Sequence, residues 1–523
     1  MKLMLGPVLY WRQPSGPNEW RFSLHLLLDG DSSSKPPVTL QIDDPAGSVS
    51  GPEVAADFSK VSRACCTYWR WTIAVPREDG DRTVQYTLQP RQAIDGLEAC
   101  SRAVSVPGTK SLPRIAFFSC NGGSSAIVRR RLADPIALWR DMAGQHQKRP
   151  FQLLLGGGDQ IYADSVFDAN ATLRRFEAMP LEERVAVEPP PELERELIAE
   201  YVALYAERWQ PYWGIGAMMA CVPGLYTWDD HDIFDCWGSH EELQESKVFQ
   251  TVYRAAALTF QVFQLGQDAS GDAHARHFLQ TAAIAAEHVS LDVVLLDLRS
   301  GRTLDRVMSD EQWSAFAGWL SDHARAKPSP RAARHVLLVS SIPLVYLRFG
   351  AMIESAGTAI NMRDDLLDQW ESGHHSGERD RLLRNLLDHG RRAHTAITVL
   401  SGDVHVASCA QVRSTEPRHV PRGRSMAIID QVTASGIVHA PPPPAQFFGL
   451  NAISAQGPMS LGGGVETQLL PVHEQLLLRE RNYLAIEFDP PVEDPNPLHK
   501  PRMWIHWWAE ETVVQRQVVV EPP

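Results

Sequence analysis

Four short stretches of this chain are rich in residue types that bind metal ions. They are SCNGG (119–123), GDQIYAD (158–164), WDDHD (228–232) and SGDVHVA (401–407). Together they offer a thiol, a phenol, imidazoles and several carboxylates. Carboxylates that converge in a protein interior without a cation repel one another and are costly to remove from water. Because a shared cation would remove that conflict, we interpret the four stretches as parts of one metal site.

The elements that must position these residues are buried strands. An apolar run ends just before each stretch, as in FQLLL (151–155) and AITVLS (396–401). Open α/β sheets build their sites at the carboxyl ends of such strands. The glycines at 156–158 let the backbone turn sharply and approach other groups closely. The spacing of Asp159 and Tyr162 places both side chains on one face of a helical turn.

The apolar pattern divides the chain into two parts. Residues 1–108 alternate apolar and polar positions in short runs, which predicts a small N-terminal antiparallel β-sandwich domain. Residues 112–523 alternate buried strands with helical patterns, which predicts a layered α/β domain. Within that domain we expect a helical insertion at about 165–210. A Pro- and Gly-rich surface loop, with the character of a lid, is expected at about 439–464.

Composition narrows the class of protein. The 523 residues carry 50 basic and 63 acidic side chains, a formal charge of −13. This balance disfavours a nucleic-acid surface or a binder of anionic membranes, both of which need a basic footprint. No apolar run approaches the roughly 18 residues of a membrane span. The seven cysteines form no evident disulfide framework and the first residues do not resemble a signal peptide, so we expect a cytoplasmic protein.

Each candidate ligand also has a purely structural interpretation when it is taken alone. Cys120 could be inert core, Asp159 a helix N-cap, and His405 a partner of a backbone carbonyl. Coincidence at four strand ends is the weaker explanation, and the sequences of serine-hydrolase elbows, P-loops, zincins and dinucleotide folds are absent. Elsewhere, Ser309 and Gln312 have capping-box spacing. The adjacent His374 and His375 lie in a polar segment and are predicted to be exposed.

The motif series resembles that of the PhoD-like alkaline phosphatases, a family of the calcineurin-like metallophosphoesterase superfamily. The resemblance is carried by the four stretches above, by LDLRSGR (296–302) and, in part, by DQWESGHHSGERDRLL (368–383). It covers roughly residues 112–440. One departure is Asp232, which stands where the family often has Glu.

The resemblance implies an α/β fold, a four-layer αββα metallophosphoesterase sandwich preceded by the small all-β domain. It implies that Cys120, Asp159, Tyr162 and His405 hold a first metal ion. Asp159 would also bridge to a second ion, which Asp230 and Asp403 bind. Thiolate and phenolate suit Fe³⁺, and carboxylates suit Ca²⁺, with Mn²⁺, Mg²⁺ or Zn²⁺ as alternatives.

The implied activity is hydrolysis of phosphoric esters, as a phosphomonoesterase, a phosphodiesterase or both, on a small phosphate-ester substrate. A metal-activated hydroxide would attack phosphorus in line. His231 is the candidate catalytic residue at the leaving oxygen, with orientation of Asp230 as its alternative role. Asn121, Arg299 and Arg302 are candidates for binding substrate phosphate, although for the two arginines ion pairs with Asp297 are the alternative.

Two other functions are consistent with the same residues. The chain could be a non-catalytic metal-binding scaffold or regulatory protein on the same fold. It could also hydrolyse a non-phosphate substrate on the same metal core. The sequence leaves open the natural substrate, the preference between monoesters and diesters, the metal identities and the oligomeric state.

Overall fold

The computed structural model describes most of the chain. The described residues are 1–61, 64–123, 132–211, 214–269, 277–326, 332–348, 368–454, 457–472, 474–490, 500–511 and 517–522.

Twenty-two strands are formed by these residues. The first eleven are β1 (Leu3–Arg12), β2 (Glu19–Asp29), β3 (Val38–Ile42), β4 (Ser48–Asp57), β5 (Cys66–Pro76), β6 (Arg82–Pro90), β7 (Cys100–Val106), β8 (Ile115–Phe118), β9 (Leu153–Gly157), β10 (Gly224–Thr227) and β11 (Gln280–Ala285). The others are β12 (Val289–Leu295), β13 (Ala333–Val339), β14 (Ala396–Ser401), β15 (Ala407–Ser414), β16 (Ala427–Thr433), β17 (Met459–Gly462), β18 (Val465–Leu470), β19 (Leu477–Leu478), β20 (Asn482–Phe488), β21 (Met503–Ala509) and β22 (Gln517–Val520).

Ten α-helices lie among the described residues. They are α1 (Ala137–Lys148), α2 (Ser165–Ala169), α3 (Ala171–Glu177), α4 (Leu181–Ala186), α5 (Leu193–Arg208), α6 (Ile215–Met219), α7 (Lys247–Phe263), α8 (Asp310–Arg325), α9 (Ser376–Ala393) and α10 (Pro444–Ser454). Two short 3-10 turns cover Asp230–Asp232 and Glu241–Leu243.

Two large sheets dominate the architecture. The first has ten strands in the order β22-β21-β20-β8-β9-β10-β1-β2-β5-β4, and its centre, β8-β9-β10-β1, is parallel. The second has the path β11-β12-β13-β14-β16-β15-β18-β17, with β19 paired to β15, and its centre, β12-β13-β14-β16, is parallel. A mixed α/β fold is therefore confirmed.

Alternation along the central strands builds three hydrophobic layers. Phe117 and Leu155 of the first sheet share one core with Leu291 and Leu337 of the second sheet. The opposite face of the first sheet packs on helices α1, α5 and α7. The opposite face of the second sheet packs on α8 and α9. The layers thus run helix, sheet, sheet, helix, and both sheets direct strand ends toward one region.

The all-β character of the N-terminal region is consistent with the pattern of residues 1–108. Its strands β1, β2, β5 and β4 extend the ten-stranded sheet, because Tyr10 of β1 pairs with Gly224 of β10. Strands β3, β6 and β7 form a separate three-stranded sheet that packs on the same core. The domain boundary at residue 108 stays a prediction, and no gap in the sheet marks it.

The two predicted interruptions of the α/β pattern contain regular structure. Helices α2 to α5 lie between Ser165 and Arg208. The stretch at about 439–464 contains helix α10 and strand β17, so it is more ordered than the predicted loop. Among the described residues, no helix is both long enough and apolar enough to cross a membrane.

Removal of residues 1–108 is expected to prevent folding of the remainder. Strand β1 is an interior strand of the ten-stranded sheet, and its two faces enter two cores, Tyr10 on one side and Leu9 on the other. Loss of β1 would leave the β10 edge unpaired and both cores open to water. The measurement is soluble yield and thermal unfolding of residues 109–523 beside the full chain. A soluble fragment with its own cooperative transition would contradict the expectation.

Candidate metal centre

The predicted ligands meet where the two sheets end. The ligand atoms of Cys120, Asp159 and His405 lie within 4.8 Å of one another. A second group with the same spacing consists of the carboxylates of Asp159, Asp229, Asp230 and Asp403. Asp159 belongs to both groups. The predicted ligand set therefore comes together, with Asp229 as an addition that the sequence analysis did not assign.

The first group combines soft and hard donors around Asp159. Its Oδ2 lies 3.6 Å from Cys120 Sγ and 3.4 Å from the Tyr162 hydroxyl oxygen, which is 3.3 Å from His405 Nε2. Burial, and then the charge of Asp159, raise the pKa of the Cys120 thiol well above its ordinary value. Burial likewise raises the pKa of Tyr162 and lowers that of His405. A bound cation reverses the preferences of the thiol and the phenol, because it stabilises thiolate and phenolate, and it favours the neutral imidazole that burial already favours.

The second group concentrates negative charge. Burial, together with neighbouring carboxylates, raises the pKa of Asp159 and of Asp403 well above the ordinary range. Burial raises the pKa of Asp229 to about 6, although Arg299 opposes that rise. Asp159 Oδ1 and Asp229 Oδ2 are buried with no hydrogen-bond partner among the described residues. A cation site consists of several carboxylate oxygens that have no hydrogen-bond donor within the protein. The residues therefore fit the implied metal ions.

The backbone at these residues is held in an unusual conformation. Five of the six predicted ligands have positive φ: Cys120 (53°), Asp159 (58°), Tyr162 (51°), Asp403 (67°) and His405 (53°). Residues other than glycine rarely adopt this left-handed region, and such strain clusters at functional sites. Gly158 (φ 107°) permits the close approach, because a Cβ there would lie 2.8 Å from Asp229 Cβ.

A buried arginine balances part of the charge. The Arg299 guanidinium is inaccessible to solvent and pairs with Asp229, with Asp230 at 3.3 Å and with Asp368 at 2.7 Å. Arg302 Nε lies 3.0 Å from the same Asp368. Burial would raise the pKa of Asp368, but the two guanidinium groups hold it well below its ordinary range. These carboxylates and guanidinium groups form a continuous ionic network behind the site.

The substrate-binding roles of Arg299, Arg302 and Asn121 stay predictions. Both guanidinium groups face Asp368, and Asp297, the alternative ion-pair partner, instead accepts hydrogen bonds from Trp228 Nε1 at 2.8 Å and from the Arg299 amide at 3.1 Å. The Asn121 side chain is also occupied within the protein. It accepts from Trp139 Nε1 at 2.8 Å and donates to the Gln160 carbonyl at 3.3 Å.

His231 is oriented by a carboxylate. Its Nδ1 donates to Asp164 at 2.9 Å, its ring stacks on Tyr162 with centroids 4.5 Å apart, and its Nε2 lies 3.8 Å from Asp235. Burial alone would lower the pKa of His231, but Asp164 and Asp230 raise it well above its ordinary value. The ring is therefore held in one orientation with a proton available beside the carboxylates.

The sequence of this chain was compared with models of known protein families. Residues 114–360 match the family model described as PhoD related phosphatase. The resemblance to PhoD-like phosphatases is confirmed. The matched range holds four of the six predicted ligands and ends before Asp403 and His405.

One relative extends the match along the chain. The protein of Saccharomyces cerevisiae named Uncharacterized protein YGR266W is 24% identical over 467 residues, which cover 72% of this chain and 63% of the yeast protein. The chain thus spans less than two thirds of that relative's length. A solved structure, the Bacteroides ovatus GH5 xyloglucanase in complex with a XXXG heptasaccharide, is 11% identical and covers 75% of this chain and 93% of its own. Its TM-score of 0.17 carries no argument about the fold.

Three further residues at this centre had no role in the prediction from the sequence. Asp164 closes the GDQIYAD motif and holds His231, and Asp232 accepts the amides of Gln160 at 2.7 Å and Ile161 at 3.0 Å. The His439 ring stacks on that of His405 with centroids 3.5 Å apart. The first two lie inside quoted motifs. His439 follows strand β16, and its position after the end of a strand is the sequence signal that could have identified it as a site residue.

Replacement of Arg299 by methionine is expected to destabilise the protein by about 3–5 kcal/mol, because Asp229, Asp230 and Asp368 lose a buried counter-charge. The control is Arg325→Met, at an exposed pair with Asp322, which should cost about 1 kcal/mol or less. The measurement is the free energy of unfolding in urea for both variants. Equal losses in the two variants would show that the network does not depend on Arg299.

Proposed function

We propose that this protein is a metal-dependent phosphoric ester hydrolase, acting as a phosphomonoesterase, a phosphodiesterase or both. The proposal rests on the position of Asp159, which belongs both to the group with Cys120 and His405 and to the group of four carboxylates. That arrangement suits two cations that share one carboxylate. The helix–sheet–sheet–helix layering supports the assignment of the fold to the metallophosphoesterase sandwich.

The donor types support a division between two kinds of cation. Cys120, Tyr162 and His405 with Asp159 suit Fe³⁺, and the carboxylates around Asp230 and Asp403 suit Ca²⁺, with Mn²⁺, Mg²⁺ or Zn²⁺ as alternatives. Such ions would supply the Lewis acidity that activates water and neutralises charge on the phosphoryl group.

The chain's own residues have separate tasks in this proposal. Arg299 fixes the positions of Asp229 and Asp230, and the Asp232 carboxylate ties the GDQIYAD loop to the WDDHD turn. Asp164 holds His231 through Nδ1, which leaves Nε2 to hold a proton for the leaving oxygen. Orientation of Asp230 is the alternative role of His231.

Chelation tests the proposed activity directly. Purified protein is analysed for metal content and assayed with p-nitrophenyl phosphate and bis(p-nitrophenyl) phosphate before and after complete metal removal. We expect activity to be lost on removal and restored on reloading. We expect Asp159→Asn to lose about 100-fold or more in kcat/KM together with bound metal, because the shared ligand loses its charge. The control is Asp79→Asn at an exposed position.

Three outcomes would redirect the proposal. Hydrolysis that survives complete metal removal would contradict it. Full metal content without hydrolysis of a broad panel of phosphate esters would favour the metal-binding scaffold. Turnover of acyl esters alone would favour a non-phosphate hydrolase on the same core.

A proton-donor role for His231 predicts a dependence on the leaving group. His231→Gln should lower kcat/KM by about 10²–10⁴-fold for an alkyl phosphate, whose alkoxide needs protonation, and by far less for p-nitrophenyl phosphate. Asp164→Asn should show the same selectivity to a smaller extent, because the ring loses its orienting partner. Metal content is measured for each variant as a control. Equal losses with both substrates, accompanied by metal loss, would support the alternative role beside Asp230.

A further inference from the structure

The His439 ring stacks on two side chains that are predicted to hold the first metal ion. Its centroid lies 3.5 Å from that of His405, and the two ring planes are inclined by 11°. The Tyr162 ring is also nearly parallel to it, with centroids 5.6 Å apart and an angle of 19°. His439 itself is buried. One side chain that is not a predicted ligand therefore contacts two that are.

The backbone of His439 is attached to a third predicted ligand. After strand β16 the chain crosses to the ten-stranded sheet, where Gly436 forms a parallel bridge with Ser119. The Ile437 amide donates to the Ser119 carbonyl at 3.0 Å, and the His439 amide donates to the Cys120 carbonyl at 3.1 Å. A Cβ at Gly436 would lie 2.7 Å from His439 Cβ, so the turn requires glycine. The position of the ring is thus tied to the peptide that carries Cys120.

The His405 ring has few other contacts that fix its orientation. A metal-bound imidazole is ordinarily held by a hydrogen bond at its second ring nitrogen. Within the part of the chain that the structure describes, the one hydrogen bond of the His405 side chain joins Nε2 to the Tyr162 hydroxyl at 3.3 Å. Its Nδ1 has none among those residues. The stacked His439 ring is therefore the contact that limits rotation of the His405 ring.

His439 is not placed to bind the ion that His405 would hold. An imidazole nitrogen binds a metal ion in the plane of its ring, at about 2 Å. The planes of His405 and His439 are nearly parallel and their centroids are 3.5 Å apart, so one ion cannot lie in both planes at bonding distance. The Nδ1 of His439 also donates to the Ala440 carbonyl at 2.8 Å. The contact with His405 is face to face, and it supplies packing rather than a ligand atom.

We propose that His439 is a positioning residue of the first metal site, whose ring face holds His405 and Tyr162 in the orientation that binds the ion. The inference rests on the proposed function, because it concerns the same site. Stacked aromatic rings stabilise a defined mutual geometry. Since the backbone of His439 is bonded to Cys120, this one residue couples ligands that follow strands of both sheets.

Two substitutions separate the ring face from the ring nitrogens. His439→Phe keeps a planar face and removes both nitrogens, whereas His439→Leu removes the planar face. Metal-free protein is loaded with Fe³⁺ and Ca²⁺, and the dissociation constants are measured by competition with citrate and EGTA. We expect His439→Leu to bind Fe³⁺ about 10–100-fold more weakly than the wild-type protein, and His439→Phe to remain within about threefold of it. Ca²⁺ binding should change little in either variant.

The visible spectrum of the Fe³⁺-loaded protein gives a second measurement. Thiolate and phenolate ligands give Fe³⁺ a visible absorption that the unbound side chains lack. His439→Leu should weaken this absorption per bound iron, and His439→Phe should retain it. Gly436→Ala should resemble His439→Leu, because the added Cβ displaces His439 without altering its ring. It takes the place of His439→Leu in the comparison if that variant does not fold.

The matched control is His288→Leu, in the turn between β11 and β12, which should bind both ions as the wild-type protein does. Thermal unfolding of each metal-free variant reports whether it is folded.

Four results would overturn the proposal. Equal losses of Fe³⁺ affinity in His439→Phe and His439→Leu would show that a ring nitrogen is needed instead of the ring face. Wild-type Fe³⁺ affinity in His439→Leu would exclude a positioning role and leave the proposed function intact. Equal weakening of Fe³⁺ and Ca²⁺ would indicate a general disturbance of the fold. A wild-type protein that binds none of the proposed metal ions would overturn the proposed function, and the inference with it.

Discussion

The structure depends on the neutralisation of carboxylates that are buried together. Asp159, Asp229, Asp230 and Asp403 converge within 4.8 Å, and Asp368 lies behind them on Arg299. Against these five carboxylates the network offers two guanidinium groups, those of Arg299 and Arg302, so three negative charges remain when all are ionised. Unpaired buried charge is among the most costly features a fold can contain. The arrangement is therefore stable as an ionised group only with positive charge from outside the chain, which is the role that the implied metal ions would have.

The same requirement explains why both sheets are needed. Cys120, Asp159 and Asp230 follow strands of the ten-stranded sheet, and Asp403 and His405 follow β14 of the second sheet. The two sheets are joined near this point by the hydrogen bond from Thr227 Oγ1 to the Leu296 carbonyl at 2.9 Å. Cations held between ligands of both sheets would stabilise the native state alone, because the unfolded chain has no such cluster. The left-handed backbone at the ligands is then tolerated, since strain of about 1–3 kcal/mol per residue is offset locally.

Local patterns were sufficient to predict part of this structure. Apolar runs predicted the strands that precede the ligands, alternation predicted the β content of residues 1–108, and Ser309 and Gln312 form the predicted capping box. Interactions between distant segments had no such signal. Tyr10 pairs with Gly224, and Arg299 pairs with Asp368, although these residues are far apart in the chain. Hydrophobic periodicity predicts that a residue is buried, but it does not predict which distant residue it contacts. His375 was predicted to be exposed and is buried, because its ring has polar partners inside the protein, Arg302 at 3.5 Å and Ser372 Oγ at 3.1 Å.

The remaining feature is the asymmetry of the site. Arg299 and Asp368 lie on the inner side of the site, where both side chains are buried. Asp403 and His405 lie on the outer side and are partly accessible to solvent. Charge that approaches from the accessible side meets carboxylates first, so an anionic substrate is repelled until cations reverse the local potential.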